Sequence, residues 1–108
     1  MLEFKLLQLF WLLVAHFVAD FSLQQFWMIK RKWKDPWVLI AHCMVWTGLV
    51  CIPLEAMGTL VLWKVIFLFG GHIICDSLKH LVFYKVNEHL KNAVDQSFHI
   101  LQLIVVWL

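Results

Sequence analysis

Between Phe4 and Met28 the chain is apolar almost without interruption, yet the middle of that run carries His16, Asp20 and Gln24. Residues four apart lie one above another on a helix. The three therefore form a polar stripe on an otherwise hydrophobic helix. Ala15 and Ala19 flank the stripe and let a neighbouring helix come close. The run is long enough to cross a hydrocarbon core of about 30 Å with some tilt. An ionisable side chain at that depth is costly unless other protein groups meet it, so further helices must bring partners to this stripe. A cleavable signal peptide is the competing reading. The run is too long for the apolar region of such a peptide, and Glu3 and Lys5 precede it in place of a basic cluster.

The rest of the chain has the same character. Of its 108 residues, 63% are hydrophobic and 15% charged, and the mean hydropathy is +0.81. A soluble domain of this size needs more polar surface. The expected class is all-α, an integral membrane four-helix bundle in one domain, with helices at about 4–28, 37–53, 59–82 and 93–108. Pro36 suits the first turn of the second helix, and Pro53, Glu55 and Gly58 mark the turn after it. The last run covers only about 24 Å at ~1.5 Å per residue. Its helix therefore starts earlier, or the bilayer thins around it. The net charge of +2 is too small to point to nucleic acid. Cys43, Cys51 and Cys75 form no C-x-x-C and fall inside expected spans, so they read as small apolar residues.

Lys30, Arg31, Lys32, Lys34, Lys79, Lys85 and Lys91 fall in or beside the two loops on one side, whereas Lys5 and Lys64 fall on the other. The positive-inside rule places the basic loops in the cytoplasm, with both termini outside and Lys64 snorkelling at the outer end. Trp27, Trp33 and Trp37 bracket the first basic loop as an interfacial belt.

Three aspartates have a histidine four residues away: His16 with Asp20, His72 with Asp76, and Asp95 with His99. His42 adds a histidine to the remaining helix. The intervals His16–His42 and His72–His99 are nearly equal and hint at a repeat of two hairpins. Counted from the cytoplasmic helix ends, all seven residues lie in one half of the membrane. A bundle that turns them inward gathers His16, Asp20, His42, His72, Asp76, Asp95 and His99 as candidate metal ligands. Imidazole with carboxylate suits zinc, manganese, iron or nickel, and i, i+4 pairs on facing helices are how bundles build such centres. Seven ligands suit two metals, or one metal with outer carboxylates orienting the imidazoles. Gly70-Gly71, just before His72, loosen the helix or admit a close neighbour. A local Asp76–Lys79 pair is the simple alternative at that position. For the whole set, the alternatives are polar pairs that only fix packing and a path for ions or protons.

The pattern His16-x-x-x-Asp20-Phe21-x-x-Gln24, then Lys30 and Lys32, His42, His72-x-x-x-Asp76-x-x-Lys79 and Asp95-Gln96-x-x-His99 resembles a small phage and bacterial membrane protein family, DUF3307, described as a domain of unknown function. In outline it is also similar to inner-membrane metal-dependent hydrolases. That likeness adds to what the seven ligands already suggest, metal-bound water attacking an ester or phosphoester, and the membrane location points to a lipid or lipid-linked substrate entering from the cytoplasmic leaflet. Asp20, Asp76 and Asp95 would be ligands, orienting groups or the general base, and Lys79 would attract an anionic headgroup as the fourth candidate catalytic residue. Membrane lipids are the expected partners, self-association is an option, and a divalent-cation or proton transporter is the alternative function.

Overall fold

The computed structural model describes residues 2–22, 35–81 and 87–108. Among these residues the chain is helical throughout, with no strand. Helix α1 spans Leu2–Phe17 and runs on into a π-helical turn, Val18–Ser22. Helix α2 spans Pro36–Ala56, α3 Leu62–Leu81 and α4 Glu88–Trp107. Gln24, the basic segment Lys30–Lys34 with Trp27 and Trp33, and Lys85 lie outside the described residues.

The ends of these helices follow from local chemistry. Asp35 caps α2, its Oδ1 accepting from Trp37 N at 3.0 Å, and Pro36 fills the first position, where no N–H is needed. The helix passes Pro53 and stops only at Met57 and Gly58, three residues beyond the expected end at 53. A proline in the last turn removes a single backbone bond there. Gly58 adopts φ +71°, the left-handed geometry that ends helices and favours glycine. Asn87 caps α4, its side chain accepting from His89 N at 2.7 Å. That cap moves the start of α4 from the expected position 93 to Glu88. The helix then has 20 residues, about 30 Å of rise against the ~24 Å expected from the apolar run.

The four helices form a ring in which each packs on the two adjacent to it in sequence, with α4 returning to α1. Cross-links along the bundle show that neighbours are antiparallel. Gln8 of α1 donates to Thr59 beyond the end of α2, at 2.9 Å. Lys5 and Trp107 exchange bonds at 2.7 Å, Lys5 Nζ donating to Trp107 O and Trp107 Nε1 to Lys5 O. Gln102 of α4 meets the carbonyls of Phe67 and Leu68 on α3.

Two layers fill the interior. The end nearer the N-terminus is apolar, packed with Leu12, Val50, Leu54, Leu68, Leu103 and Val106. The other end is polar, with His16, Asp20, His42, His72, Asp76, Asp95 and His99 all buried. Trp46, fully buried, forms the boundary between the two. The outer surface is greasy instead: Phe10, Trp11, Ile52, Ile66, Ile74 and Leu101 are all more than half exposed. α1 with its π turn (Leu2–Asp20) and α2 are long and apolar enough to cross a membrane.

Candidate metal centre

His16, the residue that opens the polar stripe, has both ring nitrogens engaged. The Trp46 indole N–H donates to His16 Nδ1 at 2.9 Å, so that nitrogen carries no proton. His16 Nε2 then holds the proton and donates to Gln96 Oε1 at 2.7 Å. His16 is therefore in the buried set but does not present an open lone pair. Its expected role as a ligand gives way to holding Gln96 in place.

Gln96 uses the other end of its amide on two carboxylates. Its Nε2 donates to Asp20 Oδ2 at 3.3 Å and to Asp95 Oδ2 at 3.4 Å. This leaves Asp20 Oδ1 and Asp95 Oδ1 facing the centre of the bundle. The π-helical turn contributes as well, since it carries Asp20 on a widened backbone at the end of α1. Such turns are found mostly at functional positions.

Four atoms from two helices, α2 and α3, and that turn approach one another there. His42 Nε2 lies 3.1 Å from His72 Nε2. His42 Nε2 is 3.5 Å from Asp20 Oδ1 and 3.6 Å from Asp76 Oδ2. His72 Nε2 is 3.8 Å from Asp20 Oδ1 and 3.5 Å from Asp76 Oδ2. The nitrogen–oxygen distances exceed those of N–H···O bonds, which run from about 2.7 to 3.2 Å. They agree with a shared ion: ligands about 2.0–2.2 Å from a tetrahedral centre stand roughly 3.3–3.6 Å from one another. Asp20, His42 and His72 are together one group whose ligand atoms lie within metal-binding reach of each other.

A second group adjoins the first. Cys75, Asp95 and His99 offer ligand atoms within 4.8 Å of one another. His99 Nε2 is 3.2 Å from Asp95 Oδ1, and Cys75 Sγ is 3.4 Å from the same oxygen. Cys43 likewise stands within that range of His72 and Asp76. Reading the cysteines as apolar filler therefore missed two thiols placed among imidazoles and carboxylates. Cysteine is as common as valine inside apolar runs, so only its neighbours in space reveal it.

Gln102, which the sequence pattern did not single out, fixes His99. Its Nε2 donates to Phe67 O at 3.1 Å and Leu68 O at 3.4 Å, which leaves Oε1 to accept from His99 Nδ1 at 3.1 Å. Spacing offered one clue, since Gln102 lies three residues after His99 on the same face. The amide fits because α3 has Gly71 opposite it; a Cβ there would overlap Gln102 Nε2, whereas one at Gly70 would meet nothing. Of the expected readings for the glycine pair, close approach of a neighbour holds at Gly71. Trp46 was also missed; it lies over His72 with ring centroids 4.3 Å apart and closes the centre on its apolar side.

Lys79 reaches across to α4, its Nζ 3.3 Å from Asn92 Oδ1 and 3.5 Å from Asp95 Oδ2. It borders a cleft of about 220 Å³ between α3 and α4, lined by Cys75, Leu78, Lys79, Lys91, Val94, Asp95 and Phe98. Cys75 and Asp95 of the second ligand group line that cleft, and its walls are otherwise apolar apart from the two lysines.

Three carboxylates and three imidazoles thus share one buried volume with a single lysine at its edge. Buried carboxylates need cations or dense hydrogen bonding, and the donor set is one that borderline divalent metals favour. No curated protein and no solved structure matches the chain, so the outline likeness to metal-dependent hydrolases rests on these residues alone. One family's sequence model matches residues 8–108, a stretch that contains every candidate ligand, and the chain belongs to that family, described as a protein of unknown function, DUF3307.

Proposed function

We propose that this chain is a four-span membrane protein holding a divalent metal, and that the metal serves hydrolysis of a lipid or lipid-linked ester or phosphoester. The observation that carries the reading is that His42 Nε2 and His72 Nε2, 3.1 Å apart, each stand 3.5–3.8 Å from Asp20 Oδ1 and Asp76 Oδ2. The two imidazoles share a hydrogen bond, but their contacts to the carboxylates are longer than the 2.9 and 2.7 Å bonds that lock His16 to Trp46 and Gln96. The metal's chemistry there is to activate water and polarise the bond under attack. In the net reaction water adds across the ester: its hydroxyl goes to the acyl or phosphoryl centre and its remaining proton to the departing alkoxide.

The membrane reading gains support from α3 and α4 as well. α3 buries His72 and Asp76, α4 buries Asp95, His99 and Gln102, and the two expose Ile66, Ile74, Leu101 and Val105, a surface suited to acyl chains. The bacterial inner membrane, with the polar end of the bundle toward the cytoplasm, accommodates this arrangement and the basic loops. The cleft beside Lys79 and Lys91 supports a lipid-like substrate: apolar walls for a chain, two cations for an anionic headgroup. Transport is less well supported, because Trp46 and the packed leucines and valines separate the buried histidines and aspartates from Gln8 and Thr59 toward the opposite end.

The test is metal content and turnover of the full chain purified in detergent. At least about one equivalent of tightly held zinc, manganese or iron is expected, falling at least tenfold in His72→Ala. Release of headgroup or acyl chain from phosphatidylglycerol vesicles should depend on that metal and stop with chelator. Metal below about a tenth of an equivalent, unchanged in His72→Ala, would remove the reading.

A further inference from the structure

We infer that the centre holds two divalent ions, the second bound by Cys75, Asp95 and His99 and joined to the first through the Asp76 carboxylate. This rests on the proposal that the first ion sits among Asp20, His42, His72 and Asp76. The two oxygens of Asp76 point to different histidines. Oδ2 stands 3.6 Å from His42 Nε2 and 3.5 Å from His72 Nε2, while Oδ1 stands 3.8 Å from His99 Nε2. A carboxylate that offers one oxygen to each of two ligand groups is the usual bridge in two-metal centres, whose ions lie about 3.5–4 Å apart.

The decisive atom is His99 Nε2. His99 is fully buried, and its Nε2 has no hydrogen-bond partner. Because Gln102 Oε1 accepts from Nδ1, that nitrogen holds a proton, and Nε2 is the atom left to coordinate. Nε2 faces Asp95 Oδ1 at 3.2 Å and Asp76 Oδ1 at 3.8 Å. Two carboxylate oxygens around one ring nitrogen need a positive charge between them, supplied by a second ring proton or by a metal ion, and metal loading tells the two apart. Cys75 Sγ completes the set, 3.4 Å from Asp95 Oδ1. The His72 and His99 rings stack with centroids 4.1 Å apart and planes 13° from parallel, so their two Nε2 atoms reach neighbouring positions. A thiolate beside imidazole and carboxylate favours zinc or cobalt over magnesium at this second position. This ion lies at the floor of the α3–α4 cleft, where a substrate phosphate or carbonyl would arrive first.

The test uses the full chain in detergent, loaded with zinc(II) for stoichiometry and cobalt(II) for spectroscopy. Two equivalents are expected, and cobalt should show a thiolate charge-transfer band in the near ultraviolet. Cys75→Ala should reduce zinc to one equivalent and abolish the band, and Cys75→Ser should abolish the band even where the serine oxygen still holds the ion. His42→Ala should keep the band while losing the other ion, and Asp76→Asn should weaken both by at least tenfold. Helix content by circular dichroism confirms that each variant is folded. One equivalent without a thiolate band, unchanged in both Cys75 variants, overturns the second site and leaves the first standing. No metal in the unaltered chain overturns both.

Discussion

At the scale of single residues, the polar interior divides into side chains locked in short hydrogen bonds and side chains grouped closely enough to hold a metal ion. His16 belongs to the first kind, since an indole N–H and an amide oxygen use both its nitrogens. Trp46→Phe keeps the ring over His72 but leaves His16 Nδ1 with no donor. A buried acceptor left unmet costs about 1–3 kcal/mol, so thermal unfolding in detergent should shift down while bound metal per chain stays the same. A loss of metal equal to that in His72→Ala would instead return His16 to the ligand set. His42, His72, Asp20 and Asp76 were legible in the sequence because ionisable residues are conspicuous in an apolar run. Cys75 and Trp46 were not, because each is at home in such a run whether or not it does anything else.

At the scale of helices, the closest approach lies between α3 and α4. Gly71 admits the Gln102 amide, whose bonds to Phe67 O and Leu68 O hold His99 in one tautomer. Gly71→Ala puts a methyl group where the amide sits, so the helices must separate or Gln102 must leave. Metal affinity should fall about 10–100-fold, the usual effect of disturbing a ligand's outer partner, and the melting point should drop. Gly70→Ala meets open space and should match the unaltered chain in both measurements. Equal effects at the two glycines would mean that helix flexibility, not the amide, is what this pair supplies. Helix identity was readable from hydropathy. The ends were harder, because the Asn87 cap lies in a polar segment that reads as loop until its side chain is seen bonded to His89 N.

At the scale of the whole molecule, the bundle is polar inside at one end and greasy outside along its length. On the proposed reading that all four helices cross a membrane, antiparallel neighbours put both termini on one face, outside. Alkaline phosphatase fused to the C-terminus should therefore be active in a bacterial host, and a fluorescent protein fused there should be dark. The opposite result would mean an odd number of crossings or an inverted bundle.

The amino-acid sequence alone determined that the chain is helical and apolar, and that histidine and aspartate recur four residues apart within its helices. Local spacing and hydropathy need only neighbouring residues, so no coordinates are required to see them. Only the tertiary structure decided which of those side chains face each other, that His16 is already engaged by Trp46 and Gln96, and that Asp76 turns one oxygen to each ligand group. Those choices depend on how residues far apart in the chain are brought within a few ångströms by helix packing, and no one-dimensional pattern records that.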